Sequence, residues 1–291
     1  MLRSLYIPLS ICICVCLFAG CAKTDALDGD IVTAEKDIFT DADIQEQTVY
    51  DGQGLTIKAV SLDMNAPDGP TLMLSGENRT GAARVVTIRN CSVNNIMAAP
   101  VFEMKIGPNG DTSSGAVFSG DLLAVAGIRT FTGISFVLRI AGASEADGYF
   151  DTDQFNMFTS MSGKYTQKYD FPGAVIADSG GVIIKIGRVA DDKAVLGKQI
   201  YIYIDNSTST DITVESTDTR VNGIPIDPMF FAAVGAGKKC WAPLVFQDSD
   251  IVKNSVESID DLVISLRAVS IYGTIADTGA CQVTFSRPDT I

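Results

Sequence analysis

The chain has 291 residues, a formal net charge of −13 and no histidine. Its length is a prior of about two domains, and with 46% hydrophobic and 20% charged residues a packed core is expected rather than global disorder. The excess of acid argues against nucleic-acid binding, which needs a basic face, and against electrostatic docking on an anionic membrane. The lack of histidine excludes serine–histidine and cysteine–histidine mechanisms and removes the commonest metal ligand.

In chain order, the first element is "MLRSLYIPLSICICVCLFAGC". One basic residue, Arg3, precedes an apolar run from Leu5 to Phe18. The run falls short of the roughly 20 residues that a membrane-crossing helix needs and has the layout of a secretory signal. Phe18-Ala19-Gly20-Cys21 resembles the bacterial lipoprotein signal, in which the cysteine is acylated on sulfur and becomes the first residue of the mature chain. That resemblance implies a signal peptide over 1–20, lipid attachment at Cys21 and an extracytoplasmic location with the membrane contacted through the anchor alone. The alternative is an ordinary signal cleavage in which Cys21 is incidental. Residues 21–51 read as an acidic, flexible tether; about 29 residues of such chain reach on the order of 30 Å. Its aspartates do not follow the EF-hand spacing, so a solvated linker is the better reading than a calcium loop.

From there the chain repeats itself at an interval of 128. Comparing 72–158 with 200–286 gives 14 identities in 87 ungapped positions, where typical composition gives roughly five. The alternation repeats in the same frame. "TLMLSG" and "QIYIYID" both run into Asn-x-Thr, at Asn78 and Asn206. "VVTIRNCSV" and "ITVESTDTRV" both run into an asparagine-led pair, Asn94-Asn95 and Asn222-Gly223, and the second is the strongest short hairpin signal because both residues accept positive φ. "ISFVLRI" and "LVISLRAV" read as buried strands, and "DQFNMF" and "CQVTFS" close each unit. "LTIKAV" and "VIIKIGRV" open each unit, here 127 apart. Beyond the signal no stretch of helix length shows 3.6-residue periodicity with caps.

About seven short strands per unit, with turn signals every 8–14 residues, predict an all-β chain of two tandem immunoglobulin-like β-sandwiches. The expected limits are 52–162 for the first domain, 163–180 for a linker carrying Pro172, and 181–291 for the second domain. The turn chemistry (Asn-x-Thr, Val-Asn-Gly and the Gly-Lys turn in "AGKK" at 236–239) resembles the tandem immunoglobulin-like domains of surface lipoproteins from Gram-positive gut bacteria. The resemblance spans roughly 52–291. It implies architecture and location but no reaction, and the first copy departs from it with Asn95 in place of glycine.

Motifs for chemistry fail on inspection. "AVGAGKK" lacks the glycine and the Ser/Thr of a phosphate loop and reads as a hairpin turn. The carboxylate pairs Asp151/Asp153 and Asp260/Asp261 could serve a glycosidase in principle, but acids at turns are usually solvated. The Asn-x-Thr sites match the glycosylation acceptor, with turn formation the preferred reading. Of the cysteines, Cys91, Cys240 and Cys281 remain after the signal and Cys21, an odd number without zinc spacing. Buried free thiols are expected, with a Cys240–Cys281 bridge as the alternative. One cluster is left as a candidate ligand platform: Phe231, Trp241, Lys238 and Lys239; its structural reading is core packing and a cap on the sandwich.

The expectation is therefore a non-enzymatic surface-binding or structural module without cofactor or metal, whose partner is an unknown protein or glycan at the cell surface and not nucleic acid. A carbohydrate-binding accessory protein or glycan-active enzyme component, and a solute-binding receptor, are the rival readings. The receptor would need βαβ units that the pattern lacks.

Overall fold

The computed structural model describes residues 24–27, 39–144, 148–169, 171–190 and 197–285. The expected signal peptide and Cys21 lie outside these described residues. After β1 (Thr24–Leu27), the first sandwich runs through β2 (Gln47–Gly52), β3 (Leu55–Asp63), β4 (Thr71–Asn78), β5 (Arg84–Val93), β6 (Ile96–Met97), β7 (Met104–Ile106), β8 (Gly110–Val117), helix α1 (Gly120–Val125), β9 (Gly133–Gly142), β10 (Tyr149–Asp151) and β11 (Phe155–Phe158). The second runs through β12 (Ala174–Ser179), β13 (Val182–Ala190), β14 (Gly197–Asn206), β15 (Ile212–Val221), β16 (Ile224–Pro225), β17 (Phe231–Val234), β18 (Lys239–Gln247), helix α2 (Asp248–Lys253), β19 (Asp261–Ser270), β20 (Gly273–Asp277) and β21 (Cys281–Phe285).

In the first sandwich one sheet has the order β2-β3-β4-β8, and the other places β9 between β5 and the paired segments β10 and β11, with β7 on the far side of β5. The second repeats this: β12-β13-β14-β18 faces a sheet in which β19 lies between β15 and β20/β21, with β17 beyond β15. The chain changes sheets after the second long strand of each unit, and again before and after the strand preceding the helix. This is the immunoglobulin-like order, A-B-E against G-F-C-C′. Both C strands bulge against F at matching places, between Arg89 and Ser92 and between Ser216 and Asp218.

The strand period of two explains the cores. Leu55, Ile57 and Ala59 of β3, Leu72 and Leu74 of β4 and Ile134, Phe136, Leu138 and Ile140 of β9 point inward and are buried. Ile200, Ile202, Ile204, Val214, Leu262, Ile264 and Leu266 do the same in the second sandwich. The two hairpins form as the sequence predicts: Asn94 and Asn95 have φ of 50° and 63°, and Asn222 and Gly223 have 50° and 81°. Each pair joins directly paired residues, Val93 to Ile96 and Val221 to Ile224.

Three expectations are corrected. First, helices exist: α1 connects β8 to β9 and α2 connects β18 to β19, and they start 128 residues apart. At six residues they are too short to show a periodic face; Ser119 caps α1 by accepting from Leu122 N at 3.3 Å. Second, the tether is not free chain from 39 onward. Ala42 is buried, Phe39 and Ile44 pack on the first core, Thr40 N donates to Arg129 O at 2.9 Å, and β2 pairs with β3. Third, residues 163–180 are not a free linker. β12 is the outer strand of the second sandwich, paired with β13, and Gln167, Tyr169 and Phe171 before it are bound to the sandwiches on either side.

Candidate functional site

Lys239 and Trp241 stand at the start of β18, and Lys238 ends the turn before it, in which Gly237 takes φ 67° and Lys238 N donates to Gly235 O at 3.0 Å. Strand–turn–strand is not a phosphate cradle, which needs a helix after the loop. The turn delivers these side chains to the first sandwich. Lys239 N donates to Asn95 O at 2.9 Å, and Lys239 pairs in parallel with Ile96. Through this bridge the C-side sheet of the first sandwich and the A-B-E sheet of the second become one ten-stranded sheet.

The lysines reinforce it. Lys238 Nζ lies 3.0 Å from Asn95 Oδ1 and 3.4 Å from Ser135 Oγ, and burial lowers its pKa. Lys239 Nζ is 2.9 Å from an Asp205 carboxylate oxygen, with both side chains largely covered, and 5.0 Å from the centre of the Tyr169 ring. Tyr203 OH also donates to Asp205, at 3.3 Å, and burial followed by that carboxylate raises its pKa.

Trp241 is the centre of an aromatic cluster. Its ring lies 5.1 Å from Phe171 at 87°, 6.1 Å from Tyr201 at 80° and 5.7 Å from Tyr203 at 55°. Phe171 also stacks obliquely on Tyr203 at 4.6 Å. Gly187 of β13 makes the room: a Cβ there would stand 2.9 Å from Trp241 Cζ3. The segment carrying Phe171 is pinned from both sides. Tyr169 OH donates to Asn94 O at 2.8 Å, Asn94 Nδ2 to Gln167 Oε1 at 3.1 Å, Gln167 Nε2 to Gly127 O at 3.1 Å, and Lys185 Nζ to Phe171 O at 3.3 Å.

The ligand platform expected from the sequence is thus divided. Three of its four residues form the junction between the sandwiches, with Trp241 covered by Phe171. The fourth, Phe231, sits on β17 in the opposite sheet of the second sandwich and is 70% exposed. The sequence carries no local signal for Tyr169, Phe171, Tyr201 and Tyr203 as partners of Trp241, beyond a concentration of aromatics just before Pro172 and along β14.

Other groups that could do chemistry are engaged. Asp151 accepts from Arg139 Nε at 2.7 Å and from its terminal nitrogen at 2.8 Å, which holds the carboxyl below its ordinary range. Both oxygens of Asp260 accept from Ser258 Oγ at 3.0 Å, and Asp261 accepts from Gln282 at 2.8 Å. Lys238, Ser135 and Ser92 form a chain of the serine–lysine kind, with 2.7 Å between the two hydroxyls. Ser135 and Ser92 are 5% and 1% exposed, so neither can meet a substrate as folded. Cys91, Cys240 and Cys281 are buried as reduced thiols, and the Cys240–Cys281 bridge is not formed. Burial pushes the Cys240 thiol up to about 12 and Cys91 further. A cleft of about 320 Å³ opens between Asn90 of the first sandwich and Asp211, Thr213, Gly235 and Ser270 of the second; Asp211 there accepts from Ala236 N at 2.9 Å. Among the described residues no cluster of three or more Cys, Asp or Glu could hold a metal, and no helix is long and apolar enough to cross a membrane.

No family model and no curated protein matches the chain. Solved structures similar to it include the YadV chaperone, at 11% identity and a TM-score of 0.24 over 80% of this chain and 100% of that one. A Salmonella enterica SafA pilin in complex with the SafB chaperone matches at 10% identity and a TM-score of 0.21, over 74% and 89%. Likeness at this level carries no weight for function.

Proposed function

We propose that this is a lipid-anchored, extracytoplasmic and non-enzymatic protein: a stiff pair of immunoglobulin-like sandwiches that presents a surface to a protein or glycan at the cell envelope. The junction at Trp241 supports this reading most directly. The lysines and aromatics that the sequence alone would assign to a ligand instead hold the two sandwiches together, through main-chain pairing at Lys239 and the docked segment 167–171. Rigid presentation reduces the ordering that binding would otherwise demand. Location rests on Phe18-Ala19-Gly20-Cys21 and on the resemblance to tandem-domain surface lipoproteins. Of the four platform residues expected from the sequence, Phe231 remains open to a ligand.

The anchor is tested by Cys21→Ser. The variant should leave the membrane fraction for the medium, and retention after an alkaline wash defeats the anchor. The binding surface is tested by co-sedimentation with purified cell-wall glycan: Phe231→Ala should weaken it at least tenfold without changing the melt. Failure of the wild-type protein to sediment removes the glycan half of the proposal.

A further inference from the structure

We propose that Thr24–Leu27 is a strap that seats the anchored end of the chain on the second sandwich, so that the second sandwich rather than the first is held at the bilayer. The membrane half of this inference rests on lipid attachment at Cys21. The strap itself does not.

β1 pairs in parallel with β21, Thr24 opposite Val283 and Leu27 opposite Phe285. On its other side β21 pairs with β19, so without β1 it would be the outer strand of its sheet. An outer strand leaves a row of N–H and C=O groups open to association with other chains, and a covering strand removes that hazard. A tight hairpin cannot supply a parallel partner, because parallel strands need a long connection. Here the connection is the whole first sandwich and most of the second.

The consequence follows from chain reach. Cys21 precedes Thr24 by three residues. At no more than about 3.6 Å per residue, its Cα lies within about 11 Å of Thr24 on the strand that covers β21. By contrast, the route from Cys21 along the chain to Phe39, the first residue packed on the first core, is 18 residues (39 − 21), which as flexible chain would span on the order of 25 Å. The shorter of the two links sets which sandwich stays close to the anchor. A free tether would leave the pair to tumble with the first sandwich nearest. The strap fixes the second one down and turns the first outward.

Two arms separate the strap from the anchor. In the full chain carrying Cys21→Ser, amide hydrogen exchange over 281–285 is measured with and without deletion of 24–27. Exchange should quicken at least tenfold on deletion, and over 155–158 of the first sandwich it should not change. In the lipidated chain on vesicles with headgroup-attached quencher, a fluorophore on Ala280→Cys should be quenched and one on Lys105→Cys should not, a difference that deletion of 24–27 abolishes. Equal exchange with and without the segment overturns the strap. Protection lost on dilution would place the strand on a second copy and overturn it as well. Equal quenching at both positions in a chain whose exchange arm succeeds overturns the orientation alone. A Cys21→Ser chain that stays on the membrane defeats the anchor and leaves the strap standing.

Discussion

Asn78 and Asn206, 128 residues apart, make the same set of hydrogen bonds. Nδ2 of Asn78 reaches the carbonyls of Ala82, Ile106 and Gly107 at 2.8, 3.5 and 2.9 Å, and Nδ2 of Asn206 those of Thr210, Val234 and Gly235 at 2.9, 3.1 and 3.0 Å. In each, Oδ1 accepts the amide and the hydroxyl of the threonine two residues on. Both asparagines are buried, at 1% and 0% exposure. A single amide therefore ties the B–C turn to the end of C′, and the Asn-x-Thr spelling reflects that tie rather than a modification site.

Removing it should be costly. Asn206→Ala leaves three carbonyls short of a donor, and a buried polar group without its partner costs about 1–3 kcal/mol. The melting temperature should fall by at least about 5 °C. Asn206→Asp should be no better, since it presents a carboxylate to carbonyl oxygens. Thr208→Ser, which keeps the hydroxyl, should melt within about 2 °C of wild type. A thermal scan of the three variants decides it, and an unchanged Asn206→Ala melt refutes the account.

The Asn-led hairpins hold a second tie at the same interval. Asn94 Nδ2 donates to Thr130 O at 2.8 Å and its Oδ1 accepts from Thr132 N at 2.7 Å; Asn222 Nδ2 donates to Ser258 O at 2.8 Å and its Oδ1 accepts from Asp260 N at 3.0 Å. Turn, strand and repeat are legible in the sequence because they depend on residues near one another in the chain: period-two burial, positive φ at Asn222-Gly223 and the fixed 128 frame. The junction is not. Tyr169 meets Asn94, and Lys238 meets Asn95, across separations of 75 and 143 residues, and no local pattern encodes such contacts. The same blindness makes Lys238, Lys239 and Trp241 look like a ligand surface, because a solvent-facing platform and a covered junction use the same side chains. α1 and α2 escape for a different reason: six residues make under two turns, too few for a periodic signal.

Gly223 tests the turn in isolation. Its φ is 81°, and a Cβ added there would meet nothing within 4 Å, so a substitution is opposed by backbone strain alone. Gly223→Val should destabilise by about 1–3 kcal/mol. Gly223→Asn should be milder by about 1 kcal/mol or more, because Asn95 holds φ 63° at the matching position. Chemical denaturation of the two variants provides the comparison. Equal midpoints would show that the turn tolerates any side chain.

Alkali should unfold the protein through its thiols. The folded values for Cys240 and Cys91 are raised by burial. Unfolded cysteine ionises near 8.5. Stability from this source is intact below about pH 8.5 and is lost as pH climbs toward the folded value of about 12 for Cys240. Lys238 is shifted the opposite way, so its loss of a proton offsets part of the fall. Cys240→Ala should flatten the decline in melting temperature between about pH 8.5 and about pH 11. In the Cys21→Ser chain, a thiol reagent at about pH 8 should leave Cys91, Cys240 and Cys281 unlabelled until denaturant is added. Rapid labelling of the native chain contradicts their burial.

The junction makes the last prediction a contrast between two aromatics of one sequence stretch that the fold sends to different places. Trp241 is surrounded by Phe171, Tyr201 and Tyr203, and it bridges the second sandwich to the docked segment before it. Trp241→Ala deletes a ring from a packed site, a change that costs about 3–5 kcal/mol in protein cores. Because the site lies between the sandwiches, the loss should also split the transition. The wild type should melt in one step, since main-chain pairing at Ile96 and Lys239 couples the halves, and the variant in two. Trp241→Phe should retain most of the stability: it keeps an aromatic ring, and the buried indole N–H that it gives up has no acceptor among the described residues. Phe231→Ala, 70% exposed on β17, should shift the melt by less than the equivalent of about 0.5 kcal/mol. Differential scanning calorimetry reads all three. A Trp241→Ala protein that keeps a single transition at the wild-type temperature would mean that the two sandwiches are held by main-chain pairing alone, and that the aromatic cluster is free to serve a ligand.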